Sequence, residues 1–364
     1  MKFLVQFLCM LLSFSSFAQE KEDWFAFYNK DSTKIGFKNI KGEVKIEAKF
    51  TPFMMEQVFK NVIAVMEGDS KQKTEIYYLN KNGKKFGKDS VYIFDFQYAS
   101  EKEGKIKFRD PKTDRVGFFD INGKVVIPAE YNDARDFNNG IAIAIKGAQK
   151  TRWHKNADHQ EAECDHWSWT GGKTLVINTK NLILFEMPEK KDHSYTIDYS
   201  KFELNQKVDN DIYTSYKASD GNTYAFYSPE KDFKKWFETQ FLPDFRKNKK
   251  VLPAYYFDLI SLSDNDDPKH QTAWKNHHKK EFLKQYGKKN DAYFAHFLEK
   301  KLSLSYSASE FTNALYYSEN ILPKEDLSKN TTISFHFIKK NITDQYHFEF
   351  TKIGNQFYIT STPQ

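Results

Sequence analysis

The chain has 364 residues, with 55 Lys and Arg against 49 Asp and Glu, for a formal charge of +6. The charges are interspersed and gather only in short clusters, such as Lys247, Lys249 and Lys250 or the pair Lys279-Lys280. That dispersal excludes the concentrated basic face of a nucleic-acid binder, and the length allows roughly two domains. The 34 Phe and 21 Tyr predict β-rich cores filled by rings.

Residues 1–18 read as a secretory leader. Lys2 supplies the positive start, Phe3 to Leu12 the apolar core, and Ser16-Phe17-Ala18 the small residues of a cleavage site after about Ala18. The apolar run is too short for a membrane helix, which needs roughly 20 residues, and no later segment is apolar enough to span. Cys9 leaves with the leader, so the mature chain keeps Cys164 and forms no internal disulfide. Export to the periplasm or beyond is the expectation, with no membrane span and no nucleic-acid partner.

A repeat follows. Ile35-Gly36-Phe37-Lys38-Asn39-Ile40-Lys41-Gly42 aligns with Val116-Gly117-Phe118-Phe119-Asp120-Ile121-Asn122-Gly123. Between them lies Ile76-Tyr77-Tyr78-Leu79-Asn80-Lys81-Asn82-Gly83, with Tyr77 in place of the first glycine. The turn glycines fall at 42, 83 and 123, a nearly constant step that marks an internal repeat of about 40 residues. Each unit predicts two or three short antiparallel strands: an Asn- or Asp-led hairpin turn closed by Gly, an alternating strand such as Val125 and Ile127, a polar bend, and an apolar strand such as Ile141 to Ile145. A fourth, worn copy runs from Thr174 through Asn181 to Phe185, delayed by an insertion at about 147–173.

The run Gly117 to Tyr131, with Asp133-Ala134, Phe137 and Asn139-Gly140-Ile141-Ala142 after it, resembles the bacterial WG-repeat family over roughly residues 24–185. Ile35 and Val116 stand where that family has its signature Trp. The resemblance implies an interaction surface, with no catalytic residues and no cofactor to carry over.

The insertion holds the candidate site residues. His154, His159, Cys164 and His166 could supply a tetrahedral metal site, although their spacing matches no established finger. Cys164 lacks the orienting partner of a catalytic thiol. Trp153, Trp167 and Trp169 are the binding candidates. Trp167 and Trp169 fall on one face of a strand, either covering the end of the array or forming a platform for sugar or peptide.

After about residue 225 the periodicity changes. Phe233, Trp236, Phe237 and Phe241 predict a helix over 230–242 that ends near Pro243. A second is expected after Asp267, carrying Trp274, His278, Phe282 and Tyr286, a third carries Tyr293, Phe294, Phe297 and Leu298, and Ser307 to Glu310 reads as the capping box of a fourth. Alternation at Ile333, Phe335 and Phe337 and at Tyr346, Phe348 and Phe350 predicts strands, and Gly354-Asn355 turns the last hairpin. The acidic run Asp264 to Asp267 lacks the glycine and distal glutamate of a calcium loop, and His270, His277 and His278 lack metalloprotease order.

The expected organisation is a leader at 1–18, a β-repeat array at 19–225, and at 226–364 an α+β domain with helices first and an antiparallel sheet last. The closing hairpin resembles those of cone-shaped domains of the nuclear-transport-factor-two type. The expected function is binding or scaffolding for a protein or glycan of the cell envelope. The alternatives are a carbohydrate or cell-wall module using the tryptophans, or an enzyme with its site in the C-terminal domain.

Overall fold

The computed structural model describes residues 22–53, 55–68, 74–152, 167–188, 199, 201–264, 273–299, 304–310, 331–338 and 345–363. The expected leader lies outside them. The chain divides into two compact regions, Met1–Ser194 and Tyr195–Gln364.

Four three-stranded antiparallel meanders follow one another in the first region; the first two are continuous in one seven-stranded sheet through the Phe50–Glu67 pairing, with Val58–Phe59 beside Trp24–Tyr28 at its edge, and Asp133–Ala134 adds a fourth strand to the last. Layer 1 comprises Trp24–Tyr28, Ile35–Asn39 and Val44–Phe50, and layer 2 comprises Val62–Glu67, Glu75–Asn80 and Lys85–Phe86. Layer 3 comprises Lys105–Asp110, Arg115–Asp120 and Val125–Tyr131, and layer 4 Ile141–Lys146, Lys173–Asn178 and Ile183–Glu186. The last strand of one sequence repeat is thus the first strand of the next layer, which binds successive repeats together.

The hairpin turn is built the same way four times. The side-chain oxygen of Asn39, Asn80, Asp120 or Asn178 accepts from the backbone N–H groups two and four residues on, at 2.8–3.1 Å. This is why a short polar side chain opens each turn. The fourth turn residue needs a positive φ, met by Gly42, Gly83 and Gly123 and, in the worn copy, by Asn181 at 64°. The same backbone turn recurs at Ala218 to Asn222, with Gly221 lying 40 residues beyond Asn181. There Phe202–Leu204 pairs with the second strand of the hairpin rather than the first, so the layer is not reproduced.

The glycine after Ile35 or Val116 has a different task. Val116 faces Tyr131 and Phe118 faces Ile127, so two steps on one strand match four on the other. The extra residues arch over Gly117 as a bulge. A Cβ there would lie 2.5 Å from the Ile127 carbonyl oxygen and 2.8 Å from the Ala129 nitrogen. Gly36 lies equally close to Ile46 and Ala48. In layer 2, where Tyr77 takes this place, the third strand stops at Phe86 and the chain turns away at Gly87. The poor match of the second sequence unit therefore has a structural counterpart.

Burial joins the layers. Phe37, Phe50 and Phe59 of the first repeat form one apolar cluster with Ile63, Val65 and Leu79 of layer 2. A second cluster joins Tyr78 of layer 2, Phe108, Phe118 and Phe119 of layer 3, and Ile177 of layer 4. Tyr78 and Phe86 meet the Phe119 ring edge-on at 6.1 and 5.5 Å, the geometry that aromatic quadrupoles favour.

Glu67 ties layers 1 and 2 at their edge. Its carboxylate takes hydrogen bonds from Tyr77 Oη, from Lys85 Nζ at 2.6 Å and from Lys49 Nζ at 3.0 Å. Partial burial opposes its charge, but these donors outweigh that and bring its pKa down to about 2. A folded-state pKa below the unfolded value contributes stability above about 4.5 that is lost as pH falls toward about 2. Glu67→Gln is expected to be less stable than the parent at neutral pH, the difference closing across that window. Urea midpoints between pH 7 and pH 2 measure it, and parallel curves would refute it.

The second region opens with the hairpin strands Tyr213–Lys217 and Thr223–Tyr227 beside Phe202–Leu204. Ser228 then caps the helix Pro229–Trp236, which continues without a break through the π turn Phe237–Phe241 into Leu242–Asn248. The expected stop at Pro243 does not occur. Pro243 sits at the start of the segment after the π turn, where a missing N–H is tolerated. The helix ends instead at Lys249, with φ at 53°.

A six-stranded sheet follows in the order Ala273–His278, Tyr256–Asp264, Gln356–Pro363, Gln345–Ile353, Thr331–Ile338, Leu304–Glu310. It is mixed rather than wholly antiparallel, because Tyr256–Asp264 and Gln356–Pro363 run parallel. Two sequence expectations are corrected here. Trp274 and His278 lie on a strand, and the helix begins only at Lys279 and runs to Glu299, absorbing the expected third helix. Their four-residue spacing from Phe282 and Tyr286 joins a strand to a helix by coincidence of period. Ser307 to Glu310 belongs to a strand, not a helix start, because its residues pair in register with the Thr-rich Thr331–Ile338. Among the described residues, no helix is long and apolar enough to cross a membrane.

Between the helices and this sheet the core is filled with rings. Phe241, fully buried, lies 5.0 Å from Phe237, 5.1 Å from Tyr255 and 5.2 Å from Phe294. Phe294 in turn sits 4.5 Å from Phe348.

Candidate functional site

The insertion is a bent extension of the layer 4 hairpin. Lys146 faces Lys173, and three residues on, Gln149 faces Thr170, so the register runs unbroken from the layer into the arm strands Gln149–Arg152 and Trp167–Thr170. The bend lies between them. Gly147, Gly171 and Gly172 all have positive φ, and a Cβ on Gly172 would lie 2.4 Å from the Ala148 nitrogen. Only glycine permits that crossing.

Alternation gives the arm two unlike faces. Lys150 faces Trp169 and Arg152 faces Trp167, so cations and tryptophans share one face, while Thr151 opposite Ser168 places hydroxyls on the other. The two indoles meet edge-on, 5.0 Å apart at 78°. Lys150 Nζ lies over both rings, at 4.5 Å from Trp167 and 5.4 Å from Trp169. Trp169 Nε1 is buried and finds no hydrogen-bond partner among the described residues.

The same lysine fixes the arm to layer 3. Lys150 Nζ lies 2.7 Å from Asp114, which also pairs with Arg109 at 2.9 Å. Partial burial works against the Asp114 charge, but Lys150 and Arg109 hold its carboxyl below the usual carboxylate range. Arg109 reaches Asp133 at 3.9 Å, and Tyr92 Oη donates to Asp133 at 2.7 Å. Burial first, and the Asp133 charge second, push the Tyr92 phenol far above its ordinary value. The chain from Trp167 to Tyr92 is therefore one pre-organised polar and aromatic path.

Of the residues singled out from sequence, the structure brings Trp167 and Trp169 together. Trp153, His154, His159, Cys164 and His166 lie outside the described residues. Among the described residues, no three His, Cys, Asp or Glu side chains gather as metal ligands. Lys150, Asp114 and Arg109 were missed in sequence. The glycines Gly147 and Gly172 were the available signal, since a hairpin registered on them sets Lys150 opposite Trp169.

Layers of this form, repeated along the chain and joined by common apolar clusters, define the first region as a β-repeat array. Residues 117–148, from the bulge-covered glycine of layer 3 to the bend before the arm, match the family model described as WG containing repeat. Over that stretch the chain is similar to a WG-containing repeat. No curated protein matches the chain.

Proposed function

We propose that this protein is exported and binds or scaffolds a protein or glycan of the cell envelope, with the arm Gln149–Arg152/Trp167–Thr170 as its contact element. The observation that carries this reading is the glycine bend, which separates a tryptophan-cation face from a hairpin otherwise committed to the array core. Tryptophan and Arg dominate binding energy at protein contacts, and here Lys150 holds both rings in place before any partner arrives. A protein partner fits better than a flat sugar face, because the crossed rings form no coplanar platform. The ring-filled core of the second region supports a non-enzymatic reading there as well.

Trp167→Ala with Trp169→Ala is expected to reduce recovery of co-purifying envelope partners at least about tenfold, the scale of one or two lost anchors. The midpoint of unfolding of the array should shift little. Recovery unchanged from the parent would exclude the arm as the contact.

A further inference from the structure

The bend of the second repeat is longer than that of the third. Val91 pairs with Phe108 as Ala134 pairs with Ala144, and Lys102 bridges Lys105 as Asn138 bridges Ile141. Between these matched positions the third repeat has only Arg135 to Phe137, whereas the second has residues 92–101. The extra length folds into a two-stranded ribbon outside the layers, with Ile93 facing Tyr98 and Phe94 facing Gln97. Its base is fixed, because Tyr92, Tyr98 and Ala99 are buried in the cluster of layers 2 to 4 and the Tyr92 N–H donates to Tyr78 Oη at 2.8 Å.

The tip departs from ordinary turn chemistry. Asp95 and Phe96 have φ of 45° and 59°, the paired left-handed conformations for which Asn-Gly or Asp-Gly is the usual choice. A phenylalanine in that conformation is strained, and strain of this kind is retained where a site needs it. The Phe96 ring does not serve the core, since it is 74% exposed. Phe94 is 61% and Ile93 43% exposed. As successive strand residues, Ile93 and Phe94 leave the ribbon by opposite faces. Apolar groups therefore cover the ribbon on both faces and at its tip, a concentration that marks a contact surface.

We infer that the hairpin Ile93–Tyr98 is an interfacial anchor that dips into the surface of a lipid bilayer with zwitterionic headgroups. A partner surface of fixed shape covers one face of such a ribbon, whereas the fluid boundary between headgroups and acyl chains closes around both faces and the tip. Asp95 sets the lipid preference. Its carboxylate is exposed between the two rings and forms no ion pair among the described residues. Anionic headgroups repel it, and the ammonium of phosphatidylethanolamine or phosphatidylcholine attracts it. Three partly exposed side chains offer less apolar surface than one acyl chain, so the anchoring is weak and reversible, half-complete at about 1–5 mM lipid.

The purified mature protein, lacking the apolar leader, is sedimented with sucrose-loaded vesicles of phosphatidylethanolamine and phosphatidylcholine up to about 10 mM lipid, a range spanning that midpoint. The parent is expected to pellet with these vesicles and less well with vesicles of phosphatidylglycerol. Phe94→Ser with Phe96→Asn is expected to reduce pelleting at least about tenfold. Its unfolding midpoint should not fall, because both rings are exposed and Asn tolerates the left-handed conformation. Val125→Ser, at an exposed position of layer 3, should pellet like the parent. A parent that stays in solution at every lipid concentration, or a double variant that pellets as the parent does, would overturn the inference. So would a parent that ignores vesicles while the double variant loses an envelope protein, which would assign the rings to a protein cleft. The arm variants should pellet normally, so this result stands apart from the reading of the arm.

Discussion

Gly117→Ala is expected to destabilise the array by about 2–3 kcal/mol, the range for forcing an extra carbon into a packed position. The added methyl meets backbone, not a side chain that could swing aside: the Ile127 carbonyl oxygen at 2.5 Å and the Pro128 carbon at 2.8 Å. Relief requires lifting the bulge, which also carries Tyr131 and its 2.7 Å hydrogen bond to Asn181 of layer 4. Gly42→Ala provides the contrast. Gly42 has φ at 84°, and a Cβ added there would meet nothing within 4 Å, so only conformational strain of about 1 kcal/mol is at stake. Urea midpoints of the two variants decide the matter. Equal losses would show that the Gly117 position is a matter of backbone freedom and not of close approach.

Phe241→Ala is expected to cost about 3–5 kcal/mol, the loss for deleting a fully buried ring whose surroundings relax only in part. Its neighbours come from four different elements: the π turn itself, the segment at Tyr255, the long helix through Phe294, and the sheet through Phe350 at 5.9 Å. No single side chain could swing in to fill the space. Thermal unfolding of the variant measures the loss. A cost below about 1 kcal/mol would mean that the ring lines a hollow instead of a packed core, and would reopen the case for a site on that face.

The array was legible in sequence because its turns are local chemistry. Asn39, Asn80, Asp120 and Asn178 each close a five-residue loop with their own side chain, and Gly42, Gly83 and Gly123 take the positive φ those loops need. Nothing distant decides such a turn, so a single sequence reveals it. The layers were less legible. Phe25, Ile63, Ile106 and Ala142 share no chemistry, and only strand pairing shows that they occupy one position.

The second region was misread where period and pairing compete. Trp274, His278, Phe282 and Tyr286 keep a helical spacing, yet the first two gain a strand partner in Tyr256–Asp264, and that long-range pairing overrides the local pattern. Ser307 to Glu310 fits a capping box of four residues, too short a pattern to stand against seven paired residues with Thr331–Ile338. In the candidate site Trp167 and Trp169 stood out by residue type. Lys150 and Asp114 did not, because a lysine and an aspartate 36 positions apart become partners only once the arm bends at Gly147 and Gly172.

The central claim is that the arm, and not the stacked layers, makes the functional contact. Replacing residues 149–170 with a tight turn removes the arm and leaves the pairing of Ile141–Lys146 with Lys173–Asn178 intact. Quantitative co-purification from native envelopes then compares this variant with the parent at matched amounts. The account predicts a folded array that no longer retains its partners. A shortened protein that still recovers them in full would contradict it and move the contact to the layers or to the second region.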